Sequence, residues 1–172
     1  MRHEDSDQLL ACMPRLRRYA RALLGTPADA DDLVQDTVAR GWAQLSSWRR
    51  GSDMRAWLFG IMHNLHIDRV RAAPPPAEPL EALDRHAPSL TAPDASAGRL
   101  ALRDMDTALR LLPPEQREVL LLVALEELRY DEVAAILDIP AGTVMSRLSR
   151  ARERLRLLME GQPLPAPLKV IK

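Results

Sequence analysis

The chain has 172 residues, with 24 Lys+Arg balanced by 24 Asp+Glu, so its formal net charge is zero. The single Cys12 excludes an internal disulfide and fits a reducing compartment. No run approaches the roughly 20 apolar residues that span a bilayer, and the opening MRHEDSDQ is too acidic for a signal peptide, so a cytoplasmic protein is expected.

Neutrality is here an average over unlike blocks. Residues 1–72 carry 11 bases and 9 acids, 73–100 carry 2 and 4, 101–142 carry 4 and 9, and 143–172 carry 7 and 2. A basic terminal block follows an acidic one, which a uniformly solvated surface does not require. The hydrophobic fraction of 47% is enough for a core, while aromatics at 3% and few β-branched residues favour helix over sheet. The expected fold class is all-α, as two small helical domains.

In chain order, a first helix is expected from about Ser6 to Leu24. Leu9, Leu16, Tyr19, Ala20 and Leu23 recur at helical spacing, Pro14 kinks or restarts it, and Gly25 closes it. Thr26-Pro27 reads as an N-cap and N1 proline opening a second helix. Its apolar stripe contains Ala30, Leu33, Val34, Thr37 and Trp42, and its other face carries Asp29, Asp31, Asp32, Gln35 and Asp36. A third helix starts near Ser52 or Asp53 and runs to about Arg71, with Trp57, Leu58, Ile61 and Leu65 on its apolar side.

Residues 73–98 are rich in Pro, Ala and Ser and include Pro74-Pro75-Pro76, so they read as a linker dividing residues 1–72 from 99–160. Beyond it, a helix bearing Met105, Ala108, Leu109 and Leu112 stops at Pro113-Pro114. Another spans Glu115 to about Glu126, and a short one covers Asp131–Leu137. The connection 138–142 leads to a long helix from Thr143, its expected N-cap, to about Met159. Residues 161–172 read as a loose tail.

Residues 130–156, YDEVAAILDIPAGTVMSRLSRARERLR, form the strongest local pattern. A short helix, a tight turn and a longer helix make a helix-turn-helix. Val133, Ala134, Ile136, Leu137, Val144, Leu148, Ala151 and Leu155 supply its packing. The other face of the second helix offers Ser146, Arg147, Ser149, Arg150, Arg152 and Arg154 to guanine edges or phosphates. Trp42, Trp48, Trp57 and Phe59, interleaved with arginines, form a second cluster suited to unpaired bases. Trp42 and Trp57 fall on apolar stripes and are expected in the core, which leaves Asn64 and Arg69 as the better contact candidates.

Three segments, in order, resemble the extracytoplasmic-function (ECF) class of bacterial sigma factors. DADDLVQDTVARGW (29–42) is similar to that family's core-binding helix in conserved region two. WLFGIMHNLHIDRVR (57–71) is similar to its promoter-melting helix, and residues 112–156 to region four. The resemblance covers about residues 6–160. It implies that Asp32, Gln35 and Asp36 meet the clamp of the largest polymerase subunit. It places Asn64, Arg69 and the loop from Gly51 to Met54 against unpaired bases of the minus-ten element. It places Met145, Ser146, Arg147, Ser149, Arg150 and Arg152 against the minus-thirty-five element. Further partners implied are the flap of the second-largest subunit and an anti-sigma factor. No cofactor, metal or catalytic residue is implied. Met54 stands where relatives often have an aromatic, Met145 where Lys or Arg is usual, and Glu127 where a turn glycine is usual.

An enzyme is the first rival reading. His63 and His66 are three apart and could share a metal, but no third ligand stands in spacing, and no phosphate loop, nucleophile elbow or paired-carboxylate pattern is present. A dimeric helix-turn-helix regulator leaves residues 26–72 without a role. An interaction protein, such as an anti-sigma factor or its mimic, does not call for the basic helix.

Overall fold

The computed structural model describes residues 3–73 and 97–162, and every regular element among them is helical. The first unit contains α1 (His3–Ala11), α2 (Met13–Leu24), α3 (Pro27–Ala43) and α4 (Met54–Ala72), with a 3₁₀ turn at Leu45–Ser47. The second contains α5 (Ala97–Arg110), α6 (Pro114–Leu120), α7 (Tyr130–Leu137) and α8 (Ala141–Met159). The expected linker lies outside the described residues apart from its ends, and so does the tail after Gln162.

Local chemistry sets most boundaries. The chain breaks at Cys12, and Pro14 enters the first turn of α2, where its missing N–H costs nothing. Gly25 ends α2 in the left-handed region at φ 76°, and its N–H returns to the Arg21 carbonyl. Asp53 caps α4 by accepting from the N–H groups of Arg55 and Ala56. Thr26 is extended as an N-cap should be, but its hydroxyl donates to Asp29 rather than accepting from the helix.

Two expected boundaries move. The second helix of the helix-turn-helix begins at Ala141, not Thr143, because Pro140 takes the extended cap position and the N–H groups of Thr143 and Val144 already reach its carbonyl. The helix expected over 115–126 becomes α6 followed by a π-helical turn over Leu121–Leu125. There the Glu126 N–H bonds the carbonyl of Leu121, five residues back. Glu127 follows at φ 56°, left-handed without being glycine.

The two units pack against each other, and their buried apolar side chains form one continuous core from Leu9, Leu16 and Leu58 to Leu122, Val133 and Val144. Tyr19 on α2 meets Phe59 on α4 edge to face, with centroids 5.0 Å apart. Gly41 on α3 permits close approach to α4, since a Cβ there would lie 2.7 Å from the Leu58 side chain. Against expectation, Trp42 is 41% exposed, lining a groove with Met13 and Arg17 of α2 and Val34 and Val38 of α3. Trp57 is half-buried and Trp48 buried.

Candidate nucleic-acid and protein interfaces

The helix-turn-helix rests on α7 and α8. Glu132 accepts from the Arg129 N–H at 2.8 Å, which caps the start of α7. Asp138 takes the left-handed region at φ 52° to make the tight turn into Ile139-Pro140. Val133, Leu137, Val144, Leu148 and Ala151 are buried, which fixes the rotation of α8 about its axis. Met145, Ser146, Ser149, Arg150 and Arg152 therefore face outward together, Met145 at 54% exposure. Arg147 departs from the expected surface: it is half-buried and lines a cleft with His63, Asn64 and Leu137, because one step around the helix turns it toward α4. The exposed remainder is a cationic ridge with hydroxyls, able to grip phosphates and to donate to base edges.

On the first unit, Asn64 is exposed on α4 at the mouth of a cleft whose far wall is Glu132, Ala135 and Ile136 of α7. Gly51 stands exposed in the preceding loop at φ 87° with open space beside it. Met54 corrects an expectation. As the first residue of α4 it is 6% exposed and packed in the core, so it offers no surface to a base in this form. Arg69 is half-buried and ion-paired with Asp36 of α3.

Asp32, Gln35 and Asp36 are all exposed on α3. Gln35 borders an apolar groove made by Met13 and Arg17 of α2 with Val34, Val38 and Trp42 of α3. Trp42, expected in the core, is exposed instead, and an indole beside acidic residues suits a partner helix with apolar and basic side chains. Asp31 pairs with Arg17 and Arg21 instead.

His63 Nδ1 lies 2.6 Å from Glu118 Oε1 on α6, and burial holds the His66 imidazole below the usual histidine range. Among the described residues no group of three or more potential ligands gathers. No helix there is long and apolar enough to cross a membrane.

Comparison with known proteins agrees with this geometry. Residues 9–63 match the family model described as the Sigma2 domain of PhyR, and residues 102–155 match that of sigma-70, region 4. The chain is 37% identical over 153 residues to the ECF RNA polymerase sigma factor EcfG of Rhodopseudomonas palustris, covering 89% of this chain and 83% of that one. It is 36% identical over 154 residues to the RNA polymerase sigma-E factor of Streptomyces coelicolor, covering 88% and 83%. Among solved structures, the sigma factor RpoE in complex with the anti-sigma factor NepR from Bartonella quintana superposes with a TM-score of 0.72 at 34% identity, over 90% of this chain and 95% of that one. CnrH, solved with the cytosolic domain of CnrY, gives 0.67 at 29% identity, over 92% and 89%. The two family matches, in this order, place the chain among sigma factors. The chain belongs to the ECF RNA polymerase sigma factor family.

Proposed function

We propose that this sigma factor binds core RNA polymerase, directs it to a specific class of promoter and promotes melting there. The observation that carries the reading is the outward ridge of α8, Met145, Ser146, Ser149, Arg150 and Arg152, held in one orientation by the buried side of the same helix. This ridge would enter the major groove of the minus-thirty-five element. Asp32, Gln35 and Asp36, with the Trp42 groove, would dock the polymerase clamp, and the second unit the flap. Asn64 and the Gly51 loop would take unpaired bases of the minus-ten element. Unstacking them costs on the order of a few kcal/mol, offset by contacts in the pocket rather than by hydrolysis. On this reading the domains are residues 1–72, linker 73–98, and 99–160, and the protein acts in the cytoplasm without a cofactor. RpoE and CnrH were solved with protein partners, and this chain is proposed to be held by an anti-sigma factor in the same manner.

The match of residues 9–63 to a PhyR domain supports one alternative, a sigma mimic that sequesters an anti-sigma factor without directing transcription. The α8 ridge favours the first reading, since a mimic does not need it. Titrating a labelled promoter fragment with the protein, alone and with core polymerase, over a range of salt tests the proposal. Weak binding alone and tight, salt-sensitive binding with core are expected. Tight duplex binding without polymerase would indicate a stand-alone regulator, and no binding in either case a mimic.

A further inference from the structure

The outer side of α8 is not uniformly cationic. Spacings of three and four put Gly142, Met145, Ser149 and Arg152 in one row, with Ser146 and Arg150 in the row beside it, all exposed. The charge lies in the C-terminal part of both rows. Arg150 and Arg152 stand in no ion pair among the described residues, whereas Arg156, four residues further, is held between Glu153 and Glu160 at 2.8 and 2.7 Å. The N-terminal part holds Met145, 54% exposed and the one large exposed apolar side chain of α8 before Met159. A helical side chain leans over the turn on its N-terminal side, which for Met145 is Ala141 and Gly142. Gly142 brings no side chain, and nothing lies within 4 Å of the position its Cβ would take. The neighbouring Ser146 hydroxyl is already engaged, donating to the Thr143 carbonyl at 3.1 Å. The thioether of Met145 is therefore the group that this end of α8 leaves open to whatever the helix meets.

We propose that Met145 is a specificity-determining residue of the minus-thirty-five interface and that it reads the 5-methyl group of a thymine. The inference rests on the sigma reading, with α8 as the helix that enters the major groove. A thioether carries no charge and no donor, and its sulfur is a weak acceptor, so it neither pairs with a phosphate nor donates to a base edge. The one apolar feature that a base pair shows in the major groove is the thymine methyl. Residues at the N-terminal end of a recognition helix are those that reach the base edges. Met145 sits at that end, five residues before Arg150. Five residues span about 7.5 Å along a helix axis, or about two base-pair steps at about 3.4 Å each. Allowing for the length of both side chains, the thymine lies within about three base pairs of the pair that Arg150 contacts. The flexible, polarizable side chain can follow the methyl onto either strand.

Deoxyuridine differs from thymidine only by that methyl, which gives a direct test. In a promoter selected for binding to the complex, each thymine of the minus-thirty-five element, on both strands, is replaced in turn by uracil. Competition binding is then measured with the full chain and core polymerase. With the parent, one replacement should lower affinity about fourfold, the factor for one buried methyl group, and the others should have little effect. Met145→Ala should bind the thymine template about as weakly as the parent binds the uracil one and should not distinguish the two. Met145→Lys keeps the length of the side chain and adds a cation. It should also lose the distinction, while its affinity falls more steeply with salt, by about one unit of logarithmic slope. Because Met145 is exposed, both variants should keep the helical circular dichroism of the parent. A parent indifferent to every uracil, or a sensitivity that survives Met145→Ala, overturns the inference. So does a sensitive thymine farther than about three base pairs from the position at which Arg150→Ala relaxes specificity. Failure of the sigma reading gives a different result: no template is preferred with core polymerase at all, which overturns that reading and this inference with it.

Discussion

The Arg69 guanidinium of α4 donates to the Asp36 carboxylate of α3, so a residue proposed to read the promoter holds one proposed to dock polymerase. Both groups are substantially solvated, and such pairs contribute about 0–1 kcal/mol to stability. Arg69→Ala should therefore leave the thermal midpoint nearly unchanged. If Arg69 reads the promoter, the variant should lose minus-ten discrimination and keep core affinity. Equal loss of core affinity would assign Arg69 to positioning Asp36.

Arg150 is exposed on the α8 ridge. Replacing it with alanine should weaken minus-thirty-five recognition by about 1–3 kcal/mol and leave core binding intact. Competition between promoter fragments with and without that element, measured with core polymerase, checks this. Parallel loss of core binding would contradict the assignment.

Glu127 occupies the left-handed region at φ 56°. Relief of about 1–2 kcal/mol of backbone strain on Glu127→Gly is partly offset by about 0.5–1 kcal/mol of added unfolded-state entropy. Net stabilisation on the order of 0.5–1 kcal/mol is expected in urea denaturation. Destabilisation would show that the Glu127 side chain makes compensating contacts.

Two helix glycines should respond oppositely to alanine. At Gly60 nothing lies within 4 Å of an added Cβ, so the gain in helix propensity, about 1 kcal/mol, should appear as stability. At Gly41 the Cβ would meet Leu58 at 2.7 Å and Leu9 at 3.4 Å, both fully buried. Overpacking of about 1–3 kcal/mol should outweigh the same gain. Shifts of one sign at both sites would refute the packing of α3 on α4.

Burial is the main cause lowering the His66 pKa, with His63, Arg117 and Arg69 adding to it and Glu118 opposing. Below about pH 6.5 the unfolded chain therefore binds a proton at this residue that the folded chain resists, and stability falls as pH falls through that range. His66→Asn should flatten this part of the stability profile. An unchanged slope would place the acid sensitivity elsewhere.

Much of the fold is legible in the sequence because its boundaries are chemical. Gly25, Pro27, Asp53 and Pro113-Pro114 punctuate the helices, and the spacing from Val133 to Ala151 dictates the helix-turn-helix and the face α8 exposes. The π turn was not legible, since 121–125 reads as ordinary apolar helix and only the Glu126 hydrogen bond to Leu121 distinguishes it. Trp42 and Met54 were misjudged for opposite reasons. A stripe position at a helix end need not meet a neighbour, and a loop-edge methionine can be drawn into the core. The contact between the units was least visible, since nothing in the spacing of Arg18, Arg55, His63, Glu118 and Glu126 along the chain pairs them. Only tertiary contact brings them together.

Promoter-specific runoff transcription tests the central claim most directly. Core RNA polymerase supplied with this protein, and a template bearing a promoter selected for binding to the complex, should yield a discrete transcript. That transcript should vanish without the protein and fall sharply with Arg150→Ala. Stable association with core and no directed transcript, or no association at all, would contradict the account.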